Sequence, residues 1–231
     1  MANVRQSCCL QFNCWKDESA SNYMDKNKQA VDVFNKLAQG YQDKFMDVSL
    51  YHDSFDVFCS QIKKNANVLE LACGPGNITQ YLLKKRPDLN ILATDLAPNM
   101  IELAKINNPQ ANFQLLDSRN IISLDKSYDA IMCGFCLPYL SKEEVIQLIV
   151  DASKILTEDG VIYISTMEDA YINSEFKKGS SGDEIFMHFH EGDYLRDALK
   201  ASGFKNIDLK RQNYPTTDGS KVIDLIIIAQ K

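Results

Sequence analysis

The chain has 231 residues, 45% of them hydrophobic and 24% charged, the make-up of one large globular domain or of a domain with an appended lid. Disorder, collagen-like structure and coiled coil are excluded as global descriptions, and the strongest apolar run, residues 225–229, is far below the ~20 residues of a membrane span. Lys and Arg total 25 against 31 Asp and Glu, a net charge of −6, which disfavours nucleic acid as a partner because phosphate backbones repel an acidic surface.

Residues 1–27 show no sustained periodicity and read as a loosely held arm. Cys8, Cys9 and Cys14 lie there without the histidine or second CxxC that would complete a metal site. The seven cysteines form no disulfide framework and no signal peptide is legible, so a reducing, cytoplasmic compartment is expected. The remainder, residues 28–231, reads as one domain, with 28–65 a helical lid and 66–231 an α/β core.

In residues 28–40, Val31, Phe34, Leu37 and Ala38 recur at helical spacing and Gly40 supplies a stop. A second helix carries Phe55, Phe58, Cys59 and Ile62 on one face. Strands then alternate with helices. Residues 68–72 read as a buried strand, followed by a glycine turn and a helix with Ile78, Tyr81, Leu82 and Leu83. Residues 90–95 form a second strand, and Pro98 opens the next helix, where a first turn tolerates proline. Strands follow at 112–116 and 128–133. Ser141 and Glu144 make a capping box for a helix running to about Leu156, and the Asp159-Gly160 turn leads into a fifth strand, 161–166. Such alternation predicts crossover units and a parallel sheet. The end differs: after a helix at 193–202, strands at 204–211 and 221–230 are joined by a turn-rich link, 215–219, too short for a helix. The expected fold is a doubly wound, Rossmann-like, seven-stranded mixed sheet closed by an antiparallel C-terminal hairpin. Residues 168–191 have the least regular pattern and read as a long loop with a Gly/Ser hinge.

The sharpest chemical signal is Glu70-Leu71-Ala72-Cys73-Gly74-Pro75-Gly76. Glycines at 74 and 76 let the backbone approach a ligand where a side chain would intrude. Asp95 ends the second strand about 20 residues on, where an acidic residue accepts from ribose hydroxyls. Asp117 ends the third strand, followed by Ser118, and suits an exocyclic amine such as adenine's. Together they outline a nucleoside-shaped crevice at the carboxyl edge of the sheet. A nicotinamide dinucleotide wants a third small residue where Thr79 stands, and Glu70 suits a cationic ligand better than a pyrophosphate. A nicotinamide-dependent oxidoreductase is therefore the second reading, and a non-catalytic S-adenosylmethionine-binding sensor or partner protein the third.

These residues, with the closing hairpin, resemble the class I S-adenosylmethionine-dependent methyltransferases, most closely the small-molecule type-11/type-25 group, over residues 31–231. Phe34 to Tyr41 looks like that group's N-terminal lid; Ala72 departs from it where many members carry glycine. The resemblance implies in-line methyl transfer to a small-molecule acceptor, with S-adenosylhomocysteine as product and no metal. It puts Glu70, Ala72, Gly74 and Gly76 at the methionine end of the cofactor and Asp95 at the ribose. Leu96, Met100, Asp117 and Ser118 would border the adenine, and Cys133 and Gly134 the reacting methyl. Tyr41, Phe135 and Tyr139 are expected on the acceptor side. A base is needed only for a protonated nucleophile; His52, His188, His190 and Tyr139 are the candidates. Residues 28–41 and 171–190 are expected to cover the acceptor together. The Cys133–Cys136 CxxC reads as packing beside the cofactor, and the Cys-Leu-Pro-Tyr run at 136–139 lacks the polar head of the amino-methylating nucleic-acid enzymes.

Overall fold

A computed structural model describes residues 26–179, 182–216 and 221–231. The arm, with Cys8, Cys9 and Cys14, and most of the 215–219 link lie outside the described residues.

Two helices, α1 (Lys26–Lys36) and α2 (Ala38–Phe45), stand where one was expected to end at Gly40. Gly40 sits inside α2 instead: the Tyr41 amide bonds back to the Leu37 carbonyl, and Ala38 packs with Ala97 and Met100. That tertiary contact outweighs one exposed helical glycine. Helix α3 (His52–Gln61) buries Phe55, Phe58 and Cys59 as its periodicity required.

The core then runs β1 (Asn67–Leu71), α4 (Asn77–Lys85), β2 (Asn90–Asp95), α5 (Pro98–Asn107), β3 (Asn112–Leu115), β4 (Tyr128–Gly134), α6 (Lys142–Ile155) and β5 (Leu156–Glu168). The capping box of α6 is formed in full, Ser141 Oγ accepting from the Glu144 amide and Glu144 reaching back to the Ser141 amide. Strand β5 starts five residues earlier than its apolar run. The Asp159-Gly160 pair is a kink within it, Asp159 at φ +63°, and the ladder to β4 shifts register there, as at a β-bulge.

Residues 168–191 are not a plain loop. A short 3-10 turn (Tyr171–Asn173) precedes a separate two-stranded antiparallel hairpin, β6 (Glu175–Lys178) and β7 (Glu184–Met187). Its four-residue strands carry no alternating burial, so periodicity had nothing to register. Helix α7 (Gly192–Ala201) then leads to β8 (Lys205–Tyr214) and β9 (Val222–Gln230).

The large sheet has seven strands in the order β3-β2-β1-β4-β5-β9-β8. Strands β1 to β5 are parallel, and β9 inserts antiparallel between β5 and β8. Alternation along the central strands sorts the core into two layers. Leu69, Leu71, Ile131 and Ile164 pack under α6 and α7; Val68, Ala130, Met132 and Tyr163 pack under α3, α4 and α5. Because β1 leads to α4 on one face and β4 to α6 on the other, the neighbouring strands part at their carboxyl ends, where α/β sheets open a ligand crevice.

Candidate active site

That crevice is a cleft enclosing about 740 Å³ of space, part of it open to solvent. The ends of β1 to β4 form its floor; α1 and α2 roof it with Asn27, Ala30, Val31, Phe34 and Tyr41.

The turn after β1 is built from left-handed backbone. Ala72, Gly74 and Gly76 have φ of +52°, +55° and +82°. The two glycines differ in what they face. A Cβ on Gly74 would point at Tyr41 Cε1, 3.7 Å away, across the cavity. A Cβ on Gly76 would fall 2.4 Å from Asn108 Nδ2, the buried amide that donates to the Gly76 carbonyl at 2.9 Å. Gly76 therefore serves the seating of α5 on the turn and does not line the cavity. Asn107 Nδ2 strengthens the same grip, donating to the Pro75 carbonyl at 2.8 Å.

Asp95, at the end of β2, holds the turn open. One oxygen accepts from the Gly74 amide at 2.9 Å and the other from the Ala97 amide at 2.8 Å. Burial raises its pKa against these two bonds. Each oxygen keeps a further lone pair, enough for a diol. Leu96, Ala97 and Met100 continue this wall. Asp117 lies across the cavity beside Ser118. Its carboxylate takes a fork from Arg119, Nη2 at 2.6 Å and Nε at 3.0 Å from both oxygens, while Arg119 Nη1 reaches Glu144 at 3.0 Å. Burial works to raise the Asp117 pKa, but the Arg119 bonds win and hold it low.

Past β4, Gly134, Phe135 and Cys136 close the floor. Phe135 is left-handed, φ +54°, its amide tied to the Ser165 carbonyl at 3.0 Å. Cys136 Sγ donates to Ser118 Oγ at 3.4 Å. Cys133 points away into the α6 layer; its bond with Cys136, then burial, push its thiol pKa well up. Glu70 is also outside the lining. It is buried beneath the turn, with Thr79 Oγ1 donating to Oε2 at 2.6 Å and Oε1 without a partner. Burial pushes it up to about 8.

Of the base candidates only Tyr139 reaches the cavity, beside Tyr41 and Phe34, whose ring meets both edge-on at 5.0 and 5.6 Å. Burial raises both phenols, Tyr41 to about 12. His52 stacks on Tyr81, and His188 stacks on Tyr171 under the hairpin. His190 is fully buried, donating from Nε2 to the Leu137 carbonyl at 2.9 Å and bonded to Tyr194 through Nδ1; burial pulls it down to about 4. These three histidines are structural in placement. Eleven expected positions do line the cavity: Tyr41, Ala72, Gly74, Asp95, Leu96, Met100, Asp117, Ser118, Gly134, Phe135 and Tyr139. Asn27, Ala30 and Leu140 are lining residues that went unread. The apolar stripe of α1 was the signal for Ala30; Asn27 carried none, since its place depends on a bond to the Tyr139 carbonyl. Among the described residues no three metal-ligating side chains cluster, and no helix is long and apolar enough to cross a membrane.

Residues 68–160 match the family profile described as "Methyltransferase domain". Malonyl-[acyl-carrier protein] O-methyltransferase 1 of Ilyobacter polytropus is 30% identical over 143 residues, 60% of this chain and 52% of that protein. O-methyltransferase 3 of Dictyostelium discoideum is 23% identical over 230 residues, 91% of this chain and 49% of that one. The chain thus spans about half the length of these curated relatives. Among solved structures, DhpI in complex with S-adenosylhomocysteine superposes with a TM-score of 0.69 at 17% identity, covering 89% of this chain and 96% of its own. An S-adenosylmethionine-dependent methyltransferase from Clostridium acetobutylicum gives 0.62 at 17%, covering 84% and 98%. With the methyltransferase-domain profile matched across the glycine turn and through β4, on a sheet of this strand order, the chain has the fold of the class I S-adenosylmethionine-dependent methyltransferases.

Proposed function

We propose that the chain is an enzyme that binds S-adenosylmethionine in this cavity and transfers its methyl group to a small-molecule acceptor. The observation that carries the reading is the pair of strand-end carboxylates, Asp95 and Asp117, facing one cavity on either side of the Gly74 backbone. Asp95 would take the ribose hydroxyls with its remaining lone pairs, and Asp117 with Ser118 the adenine edge, between Leu96 and Met100. Thr79 is buried and spent on Glu70, which counts against the nicotinamide reading.

Bound there, the cofactor supplies a methyl already activated on a sulfonium. The protein's part is alignment and exclusion of water. Phe34, Tyr41, Phe135 and Tyr139 supply an aromatic wall that shuts solvent from the β4 end, and Asn27 ties the roof to Tyr139. With their phenol pKa values raised, Tyr41 and Tyr139 stay protonated near neutral pH and serve as hydrogen-bond donors. An acceptor that needs little or no deprotonation suits such a wall best.

Calorimetry with S-adenosylhomocysteine tests the cofactor reading. Asp95→Ala is expected to weaken binding by about 1–3 kcal/mol, the scale of hydrogen bonds to a charged group. Equal affinity in both proteins, or preferred binding of NAD, refutes it. Mass spectrometry of a metabolite library incubated with S-adenosylmethionine then identifies the acceptor by a gain of one methylene.

A further inference from the structure

The β6–β7 hairpin supplies none of the described cavity lining, yet it grips the helix that does. Helix α1 turns one stripe, Asn27, Ala30, Val31 and Phe34, to the cavity. A neighbouring stripe, Lys26, Gln29 and Lys36, meets the hairpin. Lys36 Nζ donates to both Asp183 oxygens at 2.9 and 3.1 Å. Gln29 Nε2 donates to the Glu184 carbonyl at 3.1 Å, and the Lys26 ammonium sits 3.3 Å from the Phe186 ring centroid. The hairpin is itself fixed to the core. The His188 amide donates to the Pro138 carbonyl at 2.8 Å, the Phe189 amide donates to Ser174 Oγ at 3.1 Å, and His190 pins the Leu137 carbonyl.

Helix α1 needs such a clasp. Ala30 is its one fully buried residue, with Val31 and Phe34 half-buried against Ala38, Ala97 and Met100, so its seat rests on a small apolar patch, and segments with few buried apolar contacts open at low free energy. Its other ties are the Phe34 ring against Tyr139 and Tyr41 and polar bonds from Asn27 to the Tyr139 carbonyl and between Asn35 and Asn99, twice at 2.8 Å.

We infer that the hairpin is a latch that keeps α1 seated over the cavity, and that its contacts with Lys36, Gln29 and Lys26 set how fast a bound ligand leaves. For its ligand the inference rests on the methyltransferase reading; the latch itself does not. The Lys36–Asp183 pair is largely exposed on the lysine side, so it is salt-sensitive and worth at most about a fivefold change in the population of the open state.

The test uses the full chain. Hydrogen exchange at the α1 amides without ligand reads the latch directly, and stopped-flow displacement of S-adenosylhomocysteine reads its effect on release. Asp183→Lys and Lys36→Glu are each expected to speed both by about 2–5-fold, Phe186→Ala to act in the same direction, and the charge-exchanged double variant to return within about twofold of wild type. Unchanged α1 exchange and release in Asp183→Lys, or a double variant as fast as the singles, overturns the latch. Wild-type protein that fails to bind S-adenosylhomocysteine while α1 exchange still responds to Asp183→Lys overturns the cofactor reading and leaves the latch standing.

Discussion

Replacing each of the two turn glycines by alanine separates a position that builds the turn from one that faces the ligand. Both are left-handed, so each alanine costs about 1–2 kcal/mol in backbone energy. Gly76→Ala adds a collision, because the new methyl would lie 2.4 Å from Asn108 Nδ2. Asn108 is fully buried and must give up its bond to the Gly76 carbonyl, a further loss of about 1–3 kcal/mol when buried polar groups are left unpaired. The total, about 2–5 kcal/mol, lowers the melting temperature of a chain this size by about 4–20 °C. Gly74→Ala meets only Tyr41 Cε1 at an ordinary 3.7 Å and keeps its packing, losing about 2–8 °C from the backbone term alone. Its methyl enters the cavity, however, and S-adenosylhomocysteine affinity should fall by about tenfold or more, roughly 1.4 kcal/mol. Thermal melts and calorimetry on both variants decide the matter. Equal melting losses, or a Gly74→Ala protein that binds like wild type, would show that the two glycines are not divided in this way.

Two pH dependences follow from buried groups. Burial lifts Glu70 from an ordinary 4.5 to about 8, so the folded state prefers it protonated. Its contribution is full below pH 4.5 and is lost as pH rises toward 8; Glu70→Gln should therefore stabilise the protein progressively over that window, by urea titration, and a constant difference between the two proteins would refute the assignment. His190 is pulled from 6.5 to about 4 and is neutral in the fold, so its contribution is present above pH 6.5 and lost as pH falls toward 4. His190→Gln should flatten the acid limb of the stability curve; an unaltered limb would mean that other groups carry it.

Much of this architecture was legible because parallel strands buried on both faces read as continuous apolar runs, and β1, β2 and β4 are such runs bounded by turn residues. The cavity floor was legible for a related reason. Asp95 and Asp117 stand at strand ends, and strand ends at the carboxyl edge are where this topology gathers side chains. Three things escaped. The clasp between α1 and the hairpin joins residues about 150 positions apart, and no local pattern encodes such a pairing. Gly76 looked like a ligand-facing glycine because its neighbour Asn108 is 32 residues away. His188 and His190 looked like acid–base candidates because their carbonyl and aromatic partners come from other elements. Glu70 and Cys133 lie next in sequence to the turn and to the β4 end, but strand alternation turns each side chain off the cavity.

The left-handed residues Ala72 and Phe135 follow neighbouring strands, β1 and β4, on the two sides of the point where the chain departs to opposite faces of the sheet. Each holds a conformation that costs a non-glycine residue about 1–2 kcal/mol, and each faces the cavity. The opening is thus set by main-chain divergence at the ends of β1 and β4. Residues of the aromatic wall and of α1 can then be exchanged in evolution without closing the cleft or unseating the sheet. On the proposed function, a scaffold opened in this manner lets acceptor preference drift while the nucleoside end stays constant, which makes the roof, more than the floor, the place where sequence differences between relatives should track differences in substrate.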